Sequence, residues 1–183
     1  APPRPLHRQE ITLQFIGGSD GFDPAGITTC FLAYLGTNVQ TQATLFDTAA
    51  YLRLRLGNLG ISPSQISEVV LSHLHEDHLA GLPELLLMGD HRVRLLTSDL
   101  IYESLLRVLS ALMAIPEKEV ATLIDYCPLN PGKPLTIDNK RFESLYAVHS
   151  IPTISVRANS LYYSGDMRYD EEWFEELVKE EIL

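Results

Sequence analysis

The apolar residues of the chain fall in short alternating blocks at both ends and at helical spacing through the middle. Ile11 to Ile16 alternates apolar with polar positions, the period of a strand with one buried face, and Gly17-Gly18-Ser19-Asp20-Gly21 breaks it. Thr29 to Tyr34 and Thr44 to Asp47 read as further strands. Leu52, Leu56 and Leu59 recur at helical spacing between Ala49 and Leu59, with Arg53 and Arg55 interleaved and Gly60 as the stop. Ser62-Pro63-Ser64-Gln65 is a turn or one short helical turn leading into the strand Val69-Val70-Leu71.

Beyond a short polar loop, Leu79 to Met88 predicts a helix and Val93 to Leu96 a strand. Leu100 to Met113 and Glu117 to Ile124 predict two more helices, the second with Pro116 at its first turn. Arg141 to Val148, Ile154 to Arg157 and Leu161 to Tyr163 return to strand patterning. Asp170 to Leu183 predicts an amphipathic helix with Trp173, Phe174, Leu177, Val178 and Ile182 toward one side. Strands, then helices, then strands indicate α/β layers in one domain over residues 11–183, with a Pro- and Arg-rich arm or linker at residues 1–10.

Composition narrows the class. The 183 residues are 45% hydrophobic, enough for one well-filled core and too apolar for a disordered chain. No apolar run approaches the roughly 20 residues of a membrane-spanning helix. No basic stretch is followed by an apolar one at the start, so the sequence predicts no signal peptide and a cytoplasmic location. Cys30 and Cys127 form no CxxC pair and read as small core residues in a reducing compartment. The net charge of −10 opposes non-specific binding to nucleic acid. Most of it sits at one end: Asp170 to Leu183 holds seven acidic residues and one lysine, a local −6 that leaves −4 elsewhere.

The chemistry concentrates in His73-Leu74-His75-Glu76-Asp77-His78, an HxHxDH run directly after a strand. Imidazole nitrogen and carboxylate oxygen are the ligands that borderline divalent ions prefer. In an extended turn His73 and His75 point the same way and can share one ion, while Asp77 and His78 reach a second. His149, after the strand Arg141 to Val148, and Asp166, inside Tyr163-Ser164-Gly165-Asp166, are the further candidates, and Asp166 suits a bridge between two ions. Asp47 reads as a residue that fixes the loops beneath the metals, and His91 is too isolated to nominate. There is no GxSxG elbow. Gly132-Lys133 is followed by Pro134, so it is no phosphate-binding loop of the Walker type.

HxHxDH, a later His after a strand and then a Gly-Asp after another strand resemble the metallo-β-lactamase superfamily. Leu45-Phe46-Asp47-Thr48-Ala49, Gly60-Ile61-Ser62-Pro63, the run from Ser72 to Pro83, His149-Ser150-Ile151-Pro152-Thr153 and Tyr163-Ser164-Gly165-Asp166 are similar to its ribonuclease Z-like phosphodiesterase branch. The resemblance spans roughly residues 11 to 168 and implies an αββα sandwich with a dimetal site at one edge. It implies that His73, His75 and His149 hold one ion, that Asp77 and His78 hold the second, and that Asp166 lies between them. Zinc is the ion it implies, with manganese or iron as alternatives. Asp77 would also orient a dimetal-bound hydroxide for attack on the phosphorus of a small or nucleotide-like phosphodiester.

Two departures from the family pattern shape the expectation. Members usually supply one more His after the Gly-Asp, and here none follows His149, which predicts a domain incomplete at its C-terminal end. The 16 residues between His149 and Asp166 leave no room for a substrate-gripping arm, which argues with the net charge against a large RNA. The expected partner is therefore a small-molecule phosphodiester, with no membrane partner and with homo-oligomerisation open. Rival readings are a thioester or other acyl hydrolase on the same scaffold and a non-hydrolytic diiron redox or sensor protein. His75 argues against the last, because diiron relatives often place Glu there.

Overall fold

The computed structural model describes residues 11–35, 42–88 and 92–179. Its first sheet has the strand order β1 (Ile11–Gly17), β2 (Cys30–Leu35), β3 (Ala43–Phe46), β4 (Ile66–Val70), β5 (Val93–Thr97) and β6 (Ile124–Pro128). The β1–β2 and β2–β3 pairings are antiparallel, and β3 to β6 run parallel. Parallel neighbours need crossover connections, and the crossovers supply the helices. These are α1 (Leu52–Asn58), α2 (Glu76–Leu79), α3 (Leu82–Met88), α4 (Asp99–Met113) and α5 (Glu117–Thr122). The second sheet is antiparallel, in the order β10 (Leu161–Tyr163), β9 (Ile154–Ala158), β8 (Lys140–Tyr146), β7 (Leu135–Ile137). Helix α6 (Glu171–Lys179) follows.

Burial explains why the two sheets look different in sequence. Strand β3 and most of β4 are buried, and the apolar runs Leu45-Phe46 and Val69-Val70-Leu71 fall at their ends, with Thr44 and Glu68 the buried polar exceptions. Helix α1 buries Leu52 and Leu56 while α4 buries Ile101, Leu105 and Leu109 in the same core. In the second sheet β8 alternates, with Phe142 and Ser144 inward and Arg141 exposed. An aromatic group joins the sheets: the Phe31 and Phe46 rings stack at 4.8 Å, and Tyr163 of β10 meets both edge-on at 5.3 and 5.5 Å. Such pairs add about 0.5–1.5 kcal/mol each beyond area burial.

Several sequence expectations shift. Helix α1 begins at Leu52 rather than Ala49 because Tyr51 takes a left-handed conformation, φ 58°. The helix expected over Leu79 to Met88 is two helices. The chain turns at Gly81, whose N–H donates to Thr48 O at 3.0 Å and where a Cβ would sit 2.3 Å from Ala49 O. Helix α2 begins at Glu76, so Asp77 and His78 lie on it and not on a loop. Strand β6 takes the end of the helix expected to reach Ile124, and β7 has no counterpart in the sequence pattern. β6 is an edge strand mixing Asp125 and Pro128 with apolar residues, and β7 has only three residues. Cys30 is fully buried as expected, but Cys127 on β6 is only half-buried. In α6 Leu177 is buried while Val178 is 61% exposed, so Val178 does not share the apolar side. The arm at residues 1–10, His91 and Ile182 lie outside the described residues.

Candidate metal centre

The candidate ligands all follow the ends of strands at one edge of the sandwich. Asp47 follows β3, His73 and His75 follow β4, Asp77 and His78 open α2, His149 lies between β8 and β9, and Asp166 follows β10. Backbone hydrogen bonds tie these ends together. Asp47 N–H donates to Val70 O at 2.9 Å, Thr48 N–H to His78 O at 2.7 Å, Ile154 N–H to Ser72 O at 3.0 Å and Arg168 N–H to Val148 O at 2.8 Å. Residues that are 90 or more apart in sequence are thereby held in one cluster.

The cluster has two halves that share Asp166. His75 Nδ1 lies 3.1 Å from both His73 Nε2 and His149 Nε2, and one donor atom of each, with one of Asp166, falls within 4.8 Å of all the others. Asp166 Oδ2 is 4.0 Å from His73 Nε2, and its Oδ1 is 3.3 Å from His78 Nε2. Asp77 Oδ2 lies 3.5 Å from the same His78 nitrogen. His73, His75, His149 and Asp166 could therefore hold one ion, and Asp77, His78 and Asp166 a second. Imidazole and carboxylate donors with this convergence fit a pair of divalent ions. All six sequence-predicted ligands come together.

Beneath them Asp47 is fully buried with φ 53°, and its carboxylate accepts four hydrogen bonds. Oδ1 accepts Ser72 N–H at 2.7 Å, while Oδ2 accepts Ser72 Oγ–H at 2.7 Å, His78 Nδ1–H at 2.7 Å and Tyr163 O–H at 2.5 Å. With His73 and His78 it could also offer a ligand atom, but Oδ2 already accepts three hydrogen bonds, so we read it as the support of the cluster. The proton inventory fixes both rings. The Ser72 hydroxyl has one proton and gives it to Asp47, so at 2.9 Å it must accept from His73 Nδ1–H. That leaves the His73 Nε2 lone pair facing the cluster, and the Asp47 contact does the same for His78 Nε2.

Electrostatics follow the burial. Desolvation and the neighbouring His78 push the His73 imidazole down to about 3, so it stays neutral and able to ligate at neutral pH. Burial also lowers His78, but the hydrogen bond and charge of Asp47, with Asp166 and Asp77, outweigh it and raise the ring. Desolvation and Asp47 raise the Tyr163 phenol well above its ordinary value, so it remains a donor.

Sequence reasoning missed Ser72 and Tyr163, whose roles arise only from contact with Asp47. Tyr163 carried no signal of its role, because the three residues of β10 are all partly buried. The glycine-rich break after β1, whose counterpart lies near the metal site in the family the sequence resembles, does reach the cluster: at Gly21 a Cβ would stand 2.7 Å from Asp77 Oδ2, so the β1–β2 loop rests against this carboxylate.

Several known proteins are similar to this chain. Residues 11–183 match the family model described as the anti-Pycsar protein Apyc1. The chain is 28% identical over 175 residues to the cGMP-dependent 3′,5′-cGMP phosphodiesterase A of Dictyostelium discoideum, covering 93% of this chain and 20% of that protein. It is 30% identical over 180 residues to the cAMP/cGMP-dependent 3′,5′-cAMP/cGMP phosphodiesterase B of the same organism, covering 94% of this chain and 16% of that one. The ribonuclease Z of Nanoarchaeum equitans is 29% identical over 135 residues, 68% of this chain and 38% of the enzyme. The chain thus spans a fifth or less of the two phosphodiesterases. Among solved structures, the metallo-β-lactamase fold protein YhfI from Bacillus subtilis superimposes with a TM-score of 0.71 at 20% identity, over 91% of this chain and 66% of that one. A fold of two packed sheets, a His/Asp cluster at their edge and a family match over nearly the whole chain agree: this is a metallo-β-lactamase superfamily protein of the ribonuclease Z-like branch, and it belongs to the anti-Pycsar protein Apyc1 family.

Proposed function

We propose that the chain is a two-ion phosphodiesterase and that its substrate is a 3′,5′-cyclic nucleotide. The observation that carries the reading is the posture of Asp166, with one carboxylate oxygen toward His73 Nε2 and the other toward His78 Nε2. A carboxylate set between two donor groups suits a bridge. The substrate class is supported by the names of the two Dictyostelium phosphodiesterases.

In this reading His73, His75 and His149 would hold one ion and Asp77 and His78 the other, with Asp166 available to both. Zinc is the first choice, with manganese or iron as alternatives. Bound divalent ions would supply Lewis acidity toward the phosphate oxygens and a water nucleophile usable near neutral pH. Asp77 orients the attacking water by accepting its hydrogen bond, and the Gly21 contact restricts where that carboxylate can turn. Asp47, through Ser72 and directly, engages the Nδ1 side of His73 and His78 and so aims their Nε2 atoms at the cluster. An anionic substrate meets this neutral and cationic chemistry locally, whatever the −10 of the whole chain.

Elemental analysis of the purified chain, with assays on 3′,5′-cyclic GMP, tests the reading. About two equivalents of metal and hydrolysis to the mononucleotide are expected. Losing an outer-shell partner of a ligand costs on the order of 10–100-fold, so removing a ligand by His75→Ala is expected to cost at least about 100-fold. Equal rates in the parent and His75→Ala would overturn the assignment.

A further inference from the structure

Phe22 is the most exposed large apolar side chain among the described residues, at 96%. Single exposed apolar residues are ordinary on protein surfaces. This one differs in how it is held and where. Asp20 Oδ1 accepts the N–H groups of Phe22 and Asp23 at 2.9 and 3.0 Å, and Asp23 Oδ1 accepts Ala25 N–H at 3.0 Å. Ser19 N–H donates to Ile27 O at 2.8 Å across the base of the loop. At Gly17 and Gly26 a Cβ would stand 2.3 Å from Thr28 O and Ser19 Oγ, so the two limbs pack on each other without space to spare. The loop is a braced projection, and the residue next to Phe22 is Gly21, which rests against the Asp77 carboxylate.

We propose that Phe22 is the platform on which the base of the nucleotide stacks while the phosphodiester lies at the metal centre. The inference rests on the phosphodiesterase reading for the identity of the ligand. Its physical basis is separate: an aromatic face kept in water beside a phosphate-directed centre is matched by a base, since every base offers a π-face. Ring stacking of this kind tolerates any base, so the platform gives affinity for nucleosides without choosing among them. The absence of a Cβ at Gly21 sets how closely the platform approaches Asp77.

The metal-loaded full chain tests this with two probes, guanosine 5′-monophosphate and ribose 5-phosphate, which differ only in the base. In Phe22→Trp the new indole is expected to be quenched saturably by the mononucleotide and not by ribose 5-phosphate, against the parent background of Trp173, its single tryptophan. In Phe22→Ala, titration calorimetry is expected to show the affinity ratio of the two probes falling about tenfold, the scale of one lost base–aromatic stack. An unquenched indole, or equal weakening of both probes, overturns the platform. Quenching without hydrolysis of cyclic GMP by the parent overturns the hydrolase reading and leaves the platform. Hydrolysis without quenching does the reverse.

Discussion

His78 donates through Nδ1 to the buried carboxylate of Asp47 at 2.7 Å, and this contact decides which nitrogen of the ring faces the metal centre. With the proton on Nδ1, Nε2 presents its lone pair toward Asp77 and Asp166. Asp47→Asn replaces one accepting oxygen by a donor and leaves buried donors unmatched. It is expected to destabilise the fold by about 2–4 kcal/mol and to weaken metal binding about 10–100-fold. Chemical denaturation and metal titration of the same sample check both effects.

Tyr163→Phe keeps the ring contacts with Phe31 and Phe46 and deletes only the hydroxyl that Asp47 accepts. A hydrogen bond to a charged group contributes about 1.5–3 kcal/mol, so a loss of that order is expected with the fold intact. A melting curve alongside near-ultraviolet circular dichroism checks it. An unchanged melting temperature would mean that the phenol contributes nothing to holding Asp47.

Far from the metal centre, Lys140 Nζ of β8 meets Glu68 Oε1 of β4 at 2.5 Å, joining the two sheets through a buried pair in which Thr44 also donates to Glu68. Glu68 is fully buried. Lys140→Met strands that carboxylate and is expected to cost about 3–5 kcal/mol. Glu68→Leu combined with Lys140→Met removes the stranded charge and is expected to recover most of the loss. A double-mutant cycle by denaturant titration gives the coupling; simple additivity of the two single changes would contradict it.

Gly21→Ala places a methyl group against Asp77 and is expected to lower occupancy at the half of the centre formed by Asp77 and His78 before the other half. Metal content after dialysis against a weak chelator is expected to drop from about two equivalents toward one, with the melting temperature of the metal-free chain little changed. Retention of both equivalents would show that the Asp77 carboxylate moves aside without cost.

Much of this was legible from local pattern. The alternation in β8, the apolar run around Val69 and the long helix α4 each follow from the burial of one face or of both, whereas in β1 the alternating Leu13 and Phe15 are exposed and only Ile16 is buried. Spacing in HxHxDH names four of the six candidate ligands, because ligands on one turn need no long-range information. Less was visible where the fold overrides propensity. The break at Gly81 depends on a hydrogen bond to Thr48, and the three residues of β7 form a strand because β8 lies beside them.

Residue identity and spacing carried the candidate ligand types, their order along the chain and the superfamily without any help from the fold. Only the packing shows that Asp166 turns one oxygen to each half of the cluster and that Ser72, His78 and Tyr163 are the donors to Asp47. It also decided that Tyr163 reaches across 116 positions to hold Asp47. Those facts are directional. A carboxylate's role depends on which donors occupy its lone pairs, and those donors come from strands and loops that only the packing of the two sheets brings together.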